Sequence, residues 1–261
     1  MFIPTVVTMK PALILALIAP FPLMAGTTAP MVTDSTLSAT DESQWSFKTN
    51  VYAWAQSLDG DIGIRRLTIP VDIGFSDILE NLDISFMGAF EARRGKWGFM
   101  ADLVYAEISA DASLFAGRAP FEFTQRQLLG NLIASYSIVD SDPLKFAVYA
   151  GTRINSIDME INSPRPRLNR SRGESWADPI VGARLQVELG NSFFIRAVGD
   201  IGGFDVSSDL TWQAMAGFGY RVSENGSLLL GYRSIGTDYS DGGFSYDVTA
   251  SGPILGFEYK F

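Results

Sequence analysis

The chain contains no histidine and no cysteine, which removes the side chains that most often serve as general base, metal ligand or thiolate nucleophile. Ser-His-Asp hydrolysis and other schemes that use histidine as base are excluded on composition. Disulfides and thiolate metal sites fall with them. What remains is the chemistry of carboxylates and guanidiniums. Asp72 with Asp77, and Asp238 with Asp241, are acid pairs of the kind carboxylate-only catalysis would need, but solvated turn acids look the same. No enzymatic activity, cofactor or metal is expected. A second set is basic: Arg165, Arg167, Arg170 and Arg172 crowd one stretch of a chain whose net charge is -9. Guanidinium matches phosphate bidentately, so this stretch, read as an exposed loop between Asn162 and Ser175, would bind phosphate groups or steer anions. A simply solvated loop is the plain alternative. The acidic balance argues against nucleic acid as a partner.

A third set is defined by alternation. Glu91, Arg93, Asp102, Arg153, Arg184, Glu188, Arg196, Asp200, Arg221 and Arg233, with Glu258 and Lys260, each sit in a segment where apolar and polar residues take turns. Successive side chains of a β-strand point to opposite faces, so these charges share one face and the apolar residues the other. The clearest case sets Val181, Ala183, Leu185, Val187 and Leu189 against Gly182, Arg184, Gln186 and Glu188. Ten such segments can be drawn: Trp45–Gln56, Asp83–Arg93, Lys96–Glu107, Phe121–Ile138, Lys145–Ile157, Trp176–Leu189, Phe193–Phe204, Leu210–Val222, Ser227–Tyr239 and Phe244–Phe261. Each is at least as long as the roughly ten residues that a tilted membrane-spanning strand needs.

The connections support this reading. Arg94-Gly95, Asp140 to Pro143, Gly190-Asn191 and Ser223 to Gly226 are short and rich in turn residues. Longer links at 57–82, 108–120, 158–175, 205–209 and 240–243 fall between them. Short and long alternate, as periplasmic turns and extracellular loops do in an outer-membrane barrel. The link at 57–82 is expected to hold a hairpin extension through Asp59-Gly60 and a short helix at Ser76 to Leu82, with Asp77 and Glu80 in its first turn. The fold class expected is all-β, a single antiparallel transmembrane β-barrel of about ten strands, with eight or twelve the neighbouring even counts.

Residues 1–26 read as a signal peptide, with Met9-Lys10 as an alternative start and cleavage near Ala25 or Gly26. The apolar run from Pro11 to Met24 is too short and too rich in proline to span a bilayer as a helix. Residues 27–43 are polar and without period, a disordered periplasmic leader, and 44–261 form the barrel.

Two stretches carry a resemblance. The last strand, Phe257-Glu258-Tyr259-Lys260-Phe261, resembles those of bacterial outer-membrane proteins. There a terminal aromatic on an alternating strand is read by the barrel-assembly machinery, so Phe257, Tyr259 and Phe261 are implied to be the assembly signal. Val71-Asp72-Ile73-Gly74-Phe75-Ser76-Asp77-Ile78-Leu79, Leu82-Asp83 and Phe86-Met87-Gly88-Ala89-Phe90-Glu91-Ala92-Arg93-Arg94-Gly95-Lys96-Trp97-Gly98-Phe99 resemble a motif of a group of Gram-negative outer-membrane barrels that has no agreed function. The likeness extends loosely from Trp45 to Phe261, through Ser251-Gly252-Pro253. It implies an outer-membrane location, with lipid and lipopolysaccharide as surroundings; the phosphate chemistry of the arginine-rich stretch makes lipopolysaccharide phosphates its expected contact there. It implies no catalytic residue. A monomer is the expected state.

Two uses of the charged face stay open. Acids and bases are interleaved, which suits a salt-bridged plug, because buried charges must be paired. The modest excess of arginine, with Gly151, Gly182, Gly217, Gly219 and Gly231 thinning the lumen, suits a narrow channel for small anionic or neutral solutes.

Overall fold

The computed structural model describes residues 44–64, 67–80, 82–114, 119–162 and 170–261. The signal peptide and leader lie outside them, as do Arg165 and Arg167. In chain order the elements are β1 (Trp45–Trp54), β2 (Ser57–Ile64), β3 (Leu67–Ile73), α1 (Phe75–Glu80), β4 (Leu82–Arg94), β5 (Trp97–Leu114), β6 (Ala119–Ser141), β7 (Leu144–Asn162), β8 (Arg170–Leu189), β9 (Phe193–Gly203), β10 (Ser208–Arg221), β11 (Gly226–Asp241) and β12 (Phe244–Lys260). Neighbours pair antiparallel from β4 round to β12, and β12 returns to β1, which pairs with β4. Ten strands thus close a barrel, and β2 with β3 are additional to it.

Closure follows from the alternation. Val51, Leu132, Leu230 and Leu255 stand more than half exposed on the outer face, and that face is apolar the whole way round. A continuous apolar surface of this kind calls for a lipid surrounding. Aromatic rings gather at the end with the short turns: Trp45, Phe47 and Phe90 stack in sequence, Trp97 meets Tyr136, and Phe193 lies against Phe218 and Tyr220. Such a girdle marks a membrane interface. Phe257, Tyr259 and Phe261 belong to it, all on the outer face, and Phe261 donates its N–H to the Phe47 carbonyl at 2.9 Å.

Several strands outrun the lengths expected from sequence. β5 to β8 continue well past the apolar band, so most of the links at 108–120 and 158–175 are hairpin extensions rather than loops. Beyond the lipid the outer face no longer needs apolar residues, and cross-strand polar pairs replace them. Arg126 reaches Glu107 at 3.3 Å and Glu160 at 3.8 Å, and Ser109 meets Thr124 at 3.1 Å. Arg170 and Arg172 accordingly lie in β8 rather than in a loop.

The first long connection also differs from its expectation. Asp59-Gly60 does not turn the chain. It sits within β2, opposite Thr249 and Val248, and the reversal falls between Ile64 and Leu67. Glycine is needed at residue 60 because a Cβ there would lie 2.1 Å from the Asp247 carbonyl oxygen, at a φ of 144°. β2 in effect prolongs β1 along β12, after a break at Ala55-Gln56 where the Ala55 N–H reaches the Pro253 carbonyl at 2.9 Å. Gly252 makes that break possible, since a Cβ on it would stand 1.9 Å from the Ala55 oxygen. The β1–β4 ladder ends at Val51 opposite Gly88. Above it the Trp54 N–H donates to the Met87 sulfur at 3.2 Å. Among the described residues β3 pairs with β2 and with no second strand.

α1 spans Phe75–Glu80 instead of Ser76 to Leu82, opened by the Gly74 carbonyl, which accepts from the N–H groups of Asp77 and Ile78 at 3.1 Å. Its Ile78 turns inward to an apolar cluster with Leu58, Ile157, Trp176, Tyr239 and Phe244. The helix therefore lies in the barrel mouth, held by burial of an aliphatic side chain.

Gly252→Ala is expected to destabilise the barrel by about 1–3 kcal/mol, because the backbone at Ala55 must move. Gly199→Ala, whose Cβ would meet nothing nearer than 3.8 Å, should stay within about 0.5 kcal/mol. Urea unfolding in lipid vesicles, with heat-modifiable gel migration as the fold check, measures both.

Candidate functional site

Seven strands send side chains to one level of the lumen, where they join in a closed ring. Arg153 on β7 donates from Nη2 to Asp200 on β9 at 2.8 Å. Asp200 accepts from the Gln213 amide on β10 at 2.9 Å, and the Gln213 oxygen accepts from Arg233 Nε on β11 at 2.9 Å. Arg233 donates to Asp102 on β5 at 2.9 Å, Asp102 accepts from the Asn131 amide on β6 at 3.1 Å, and Asn131 accepts from Arg153 Nε at 3.0 Å. The ring alternates cation, anion and amide, twice over. Each carboxylate also takes a phenol: Tyr52 on β1 donates to Asp102, and Tyr149 to Asp200 at 2.8 Å. Arg153 places its remaining nitrogen on Thr211 at 3.0 Å, and Arg233 places its own on Tyr52 at 3.1 Å. Arg153 and Asp200 have no solvent-exposed side-chain surface. Charges so buried are tolerated because each guanidinium nitrogen and each carboxylate oxygen of the ring has a partner.

Below the ring, toward the short turns, lies a second tier that water reaches. Arg184 forks onto both oxygens of Glu91, at 3.1 and 3.0 Å. Arg196 and Lys48 share Glu258, at 3.0 and 3.2 Å. Arg221 and Lys145 share Glu188, the latter at 3.3 Å. Phe194 is clasped between Arg196 and Arg221, each 5.2 Å from the ring centre, and occupies the space that Gly219 leaves free. Arg93 closes the rim on Asp140 at 2.9 Å, and Lys260 stands exposed. A cavity of about 100 Å³ opens between this tier and the ring. Above the ring a smaller one of about 20 Å³ is lined by Trp54, Gln56, Asn155 and Thr237, enough for about one water. Trp54 Nε1 and Asn155 Nδ2 make no hydrogen bond within the protein. Over it sits the apolar layer with α1.

The structure thus places Asp102, Arg153, Asp200 and Arg233 in the ring, and Glu91, Arg93, Arg184, Glu188, Arg196 and Arg221 in the tier beneath. Sequence reasoning passed over Lys48, Tyr52, Asn131, Tyr149 and Gln213. All five stand on the inward register of their strands, so the parity of the alternation would have found them had the first strand's Lys48 and the neutral polar residues been weighed with the other charges. Asp178 was also missed. It is fully buried and satisfied by the Ser208 N–H at 2.7 Å and hydroxyl at 2.6 Å. Of the arginine-rich set, Arg172 pairs with Glu174 and lies 5.4 Å over the Phe244 ring.

The carboxylate pairs do not form catalytic dyads. Asp238 and Asp241 are an odd number of residues apart on β11 and face opposite sides. Asp72 lies opposite Asp59 on the hairpin, while Asp77 is on α1. Among the described residues no group of acids could hold a metal ion. Asp238 instead stands opposite Asp247, which stands opposite Asp61. These acids lie beyond the apolar band, about a dozen residues from the short turn at Gly226. Partial burial, then the carboxylates of Asp247 and Asp209, hold the Asp238 carboxyl above its ordinary 3.8.

The closed antiparallel wall, apolar outside with an aromatic girdle and polar inside, defines a Gram-negative outer-membrane β-barrel. The short turns are then periplasmic and the long hairpins extracellular. No protein-family model matches the chain, and no curated protein matches it. Among solved structures it is similar to the outer membrane protease OmpT from Escherichia coli, with a TM-score of 0.55 and 10% identity over 87% of this chain and 99% of that one. The translocator domain of the autotransporter NalP from Neisseria meningitidis gives 0.41 and 10% identity over 83% and 88%. Ail of Yersinia pestis gives 0.35 and 12% identity over 84% and 99%. The likeness to OmpT at this identity is one of fold.

Arg233→Met is expected to cost about 3–5 kcal/mol by leaving Asp102 buried without its cation, and Arg233→Met with Asp102→Leu should recover part of that loss. Urea midpoints in vesicles measure both. For Asp238 the raised folded value means that the unfolded chain releases its proton first as pH rises from 3.8. The folded state therefore loses stability from 3.8 up to the raised value, and no more above it. Asp238→Asn should raise the thermal midpoint at neutral pH, and the gain should vanish below pH 3.8.

Proposed function

We propose that this protein is a non-enzymatic barrel of the outer membrane whose lumen is closed, and that it acts through its extracellular surface and its packing in the membrane. The observation that carries the reading is the ring of Arg153, Asp200, Gln213, Arg233, Asp102 and Asn131, which ties opposite walls together at one level. A solute would have to break charge-assisted hydrogen bonds in a dry environment to pass it, and these are the strong ones. The apolar layer with Ile78 above the ring supports the same reading, since it opposes hydrated ions. Delivery by a cleaved signal peptide at 1–26 and contact of Arg165, Arg167, Arg170 and Arg172 with lipopolysaccharide phosphates belong to the proposal. Absence of histidine supports the non-enzymatic part.

Planar-bilayer recording of the refolded protein is expected to show no discrete conductance steps. Regular steps would overturn the closed lumen, and anion-selective steps lost in Arg184→Ala or Arg221→Ala would establish a narrow channel in its place.

A further inference from the structure

The periplasmic half of the lumen is a cup with a floor. Side-chain exposure drops from 38% at Lys145 and 24% at Arg184, in the tier beneath the ring, to 6% at Arg233 and none at Arg153 within it. Water therefore enters from the short-turn end and stops at the ring. The cavity of about 100 Å³ inside the cup is bordered by four cations, Lys48, Arg184, Arg196 and Arg233. Three carboxylates, Glu91, Asp102 and Glu258, border it as well. Two of the three are taken one to one, Glu91 by Arg184 and Asp102 by Arg233. Glu258 alone serves two cations, Lys48 and Arg196. One positive charge in the cavity wall therefore has no carboxylate of its own, in a half-desolvated setting where an unmatched charge is costly.

The rest of the wall says what kind of anion would suit it. Met215, Leu229 and Ile254, on the neighbouring strands β10, β11 and β12, form an apolar wall of the same space, flanked by Arg196 on β9 and Lys48 on β1, with Met100 and Ile133 across the lumen. A cavity near 150 Å³ takes a benzene ring, and this one has room for about four or five heavy atoms. We infer that the cup is a binding site for a small organic monoanion of the carboxylate class, its head group on Lys48 and Arg196 and its short tail against the methionine and aliphatic wall. The inference rests on the closed lumen proposed above only in holding that the anion enters and leaves on the periplasmic side.

The probe is propionate, titrated by calorimetry into the full barrel in detergent, with chloride and n-propanol as charge-only and tail-only controls. Saturable one-to-one binding is expected, weaker for either control. Lys48→Met removes the surplus cation while Glu258 keeps Arg196, and it should weaken propionate binding about tenfold or more. Val198→Phe, which fills the cavity, should abolish it. Heat-modifiable migration verifies that each variant is folded, and a variant that fails this is replaced by Lys48→Gln. Absence of saturable binding, equal affinity in Lys48→Met, or chloride binding as tight as propionate would each overturn the site. Bilayer recording in propionate separates the two readings: binding without conductance supports both, while binding with propionate-carried steps retains the site and removes the closed lumen.

Discussion

Burying two arginines and two aspartates inside a narrow tube is the constraint around which the rest of the molecule is arranged. Each ion loses water, and the loss is offset only if all its hydrogen-bonding positions are filled by rigidly placed partners. Filling them takes side chains from β1, β5, β6, β7, β9, β10 and β11, all at one height. A slip of one residue in any of these strands would send its partner out to the lipid. The ring therefore ties register to solvation, and the barrel is held to one alignment by its centre as well as by its apolar exterior. The two amides matter as much as the charges, since Asn131 and Gln213 each give to a carboxylate and accept from a guanidinium. They turn two isolated ion pairs into one network.

On either side of the ring the lumen takes opposite characters. Toward the short turns it is ionic and wet, with carboxylates shared between cations and aromatic Phe194 filling the space beside Gly219. Toward the long hairpins it is apolar, with a layer to which α1 contributes Ile78. An aliphatic helix face and a charged tier could not coexist in one small interior without a boundary, and the ring supplies it by presenting bonded, saturated groups to both.

The membrane-height strands could be read from sequence because lipid outside and water-reachable charge inside impose period two on each. Val181 to Leu189 shows this without interruption. The pattern stops being informative where the lipid stops. β5 to β8 continue as hairpins whose outer faces carry Arg126, Glu107 and Glu160, so an argument from apolar alternation ends them too early. Asp59-Gly60 carries the sequence signature of a turn, yet its glycine answers to the close Asp247 backbone, a tertiary fact. Placing charged residues on the inward face follows from parity alone. Which acid meets which base, and that Tyr52, Tyr149, Asn131 and Gln213 complete the set, depends on strand tilt and stagger across the tube, which no single strand records.

The end of the β1–β4 ladder at Val51 and Gly88 gives the molecule two mechanical regimes. Below that point the wall is a hoop, and any change in girth must break backbone hydrogen bonds. Above it, among the described residues, the wall is a split collar whose ends, β3 and β4, are joined through the chain at α1 and not by a ladder. A collar of this kind can spread or tighten while its pairing stays whole, resisted by side-chain contacts such as Trp54 on Met87 and Ile78 in its apolar nest. Stiffness at the membrane and compliance at the cell surface thus come from a single place where two strands part.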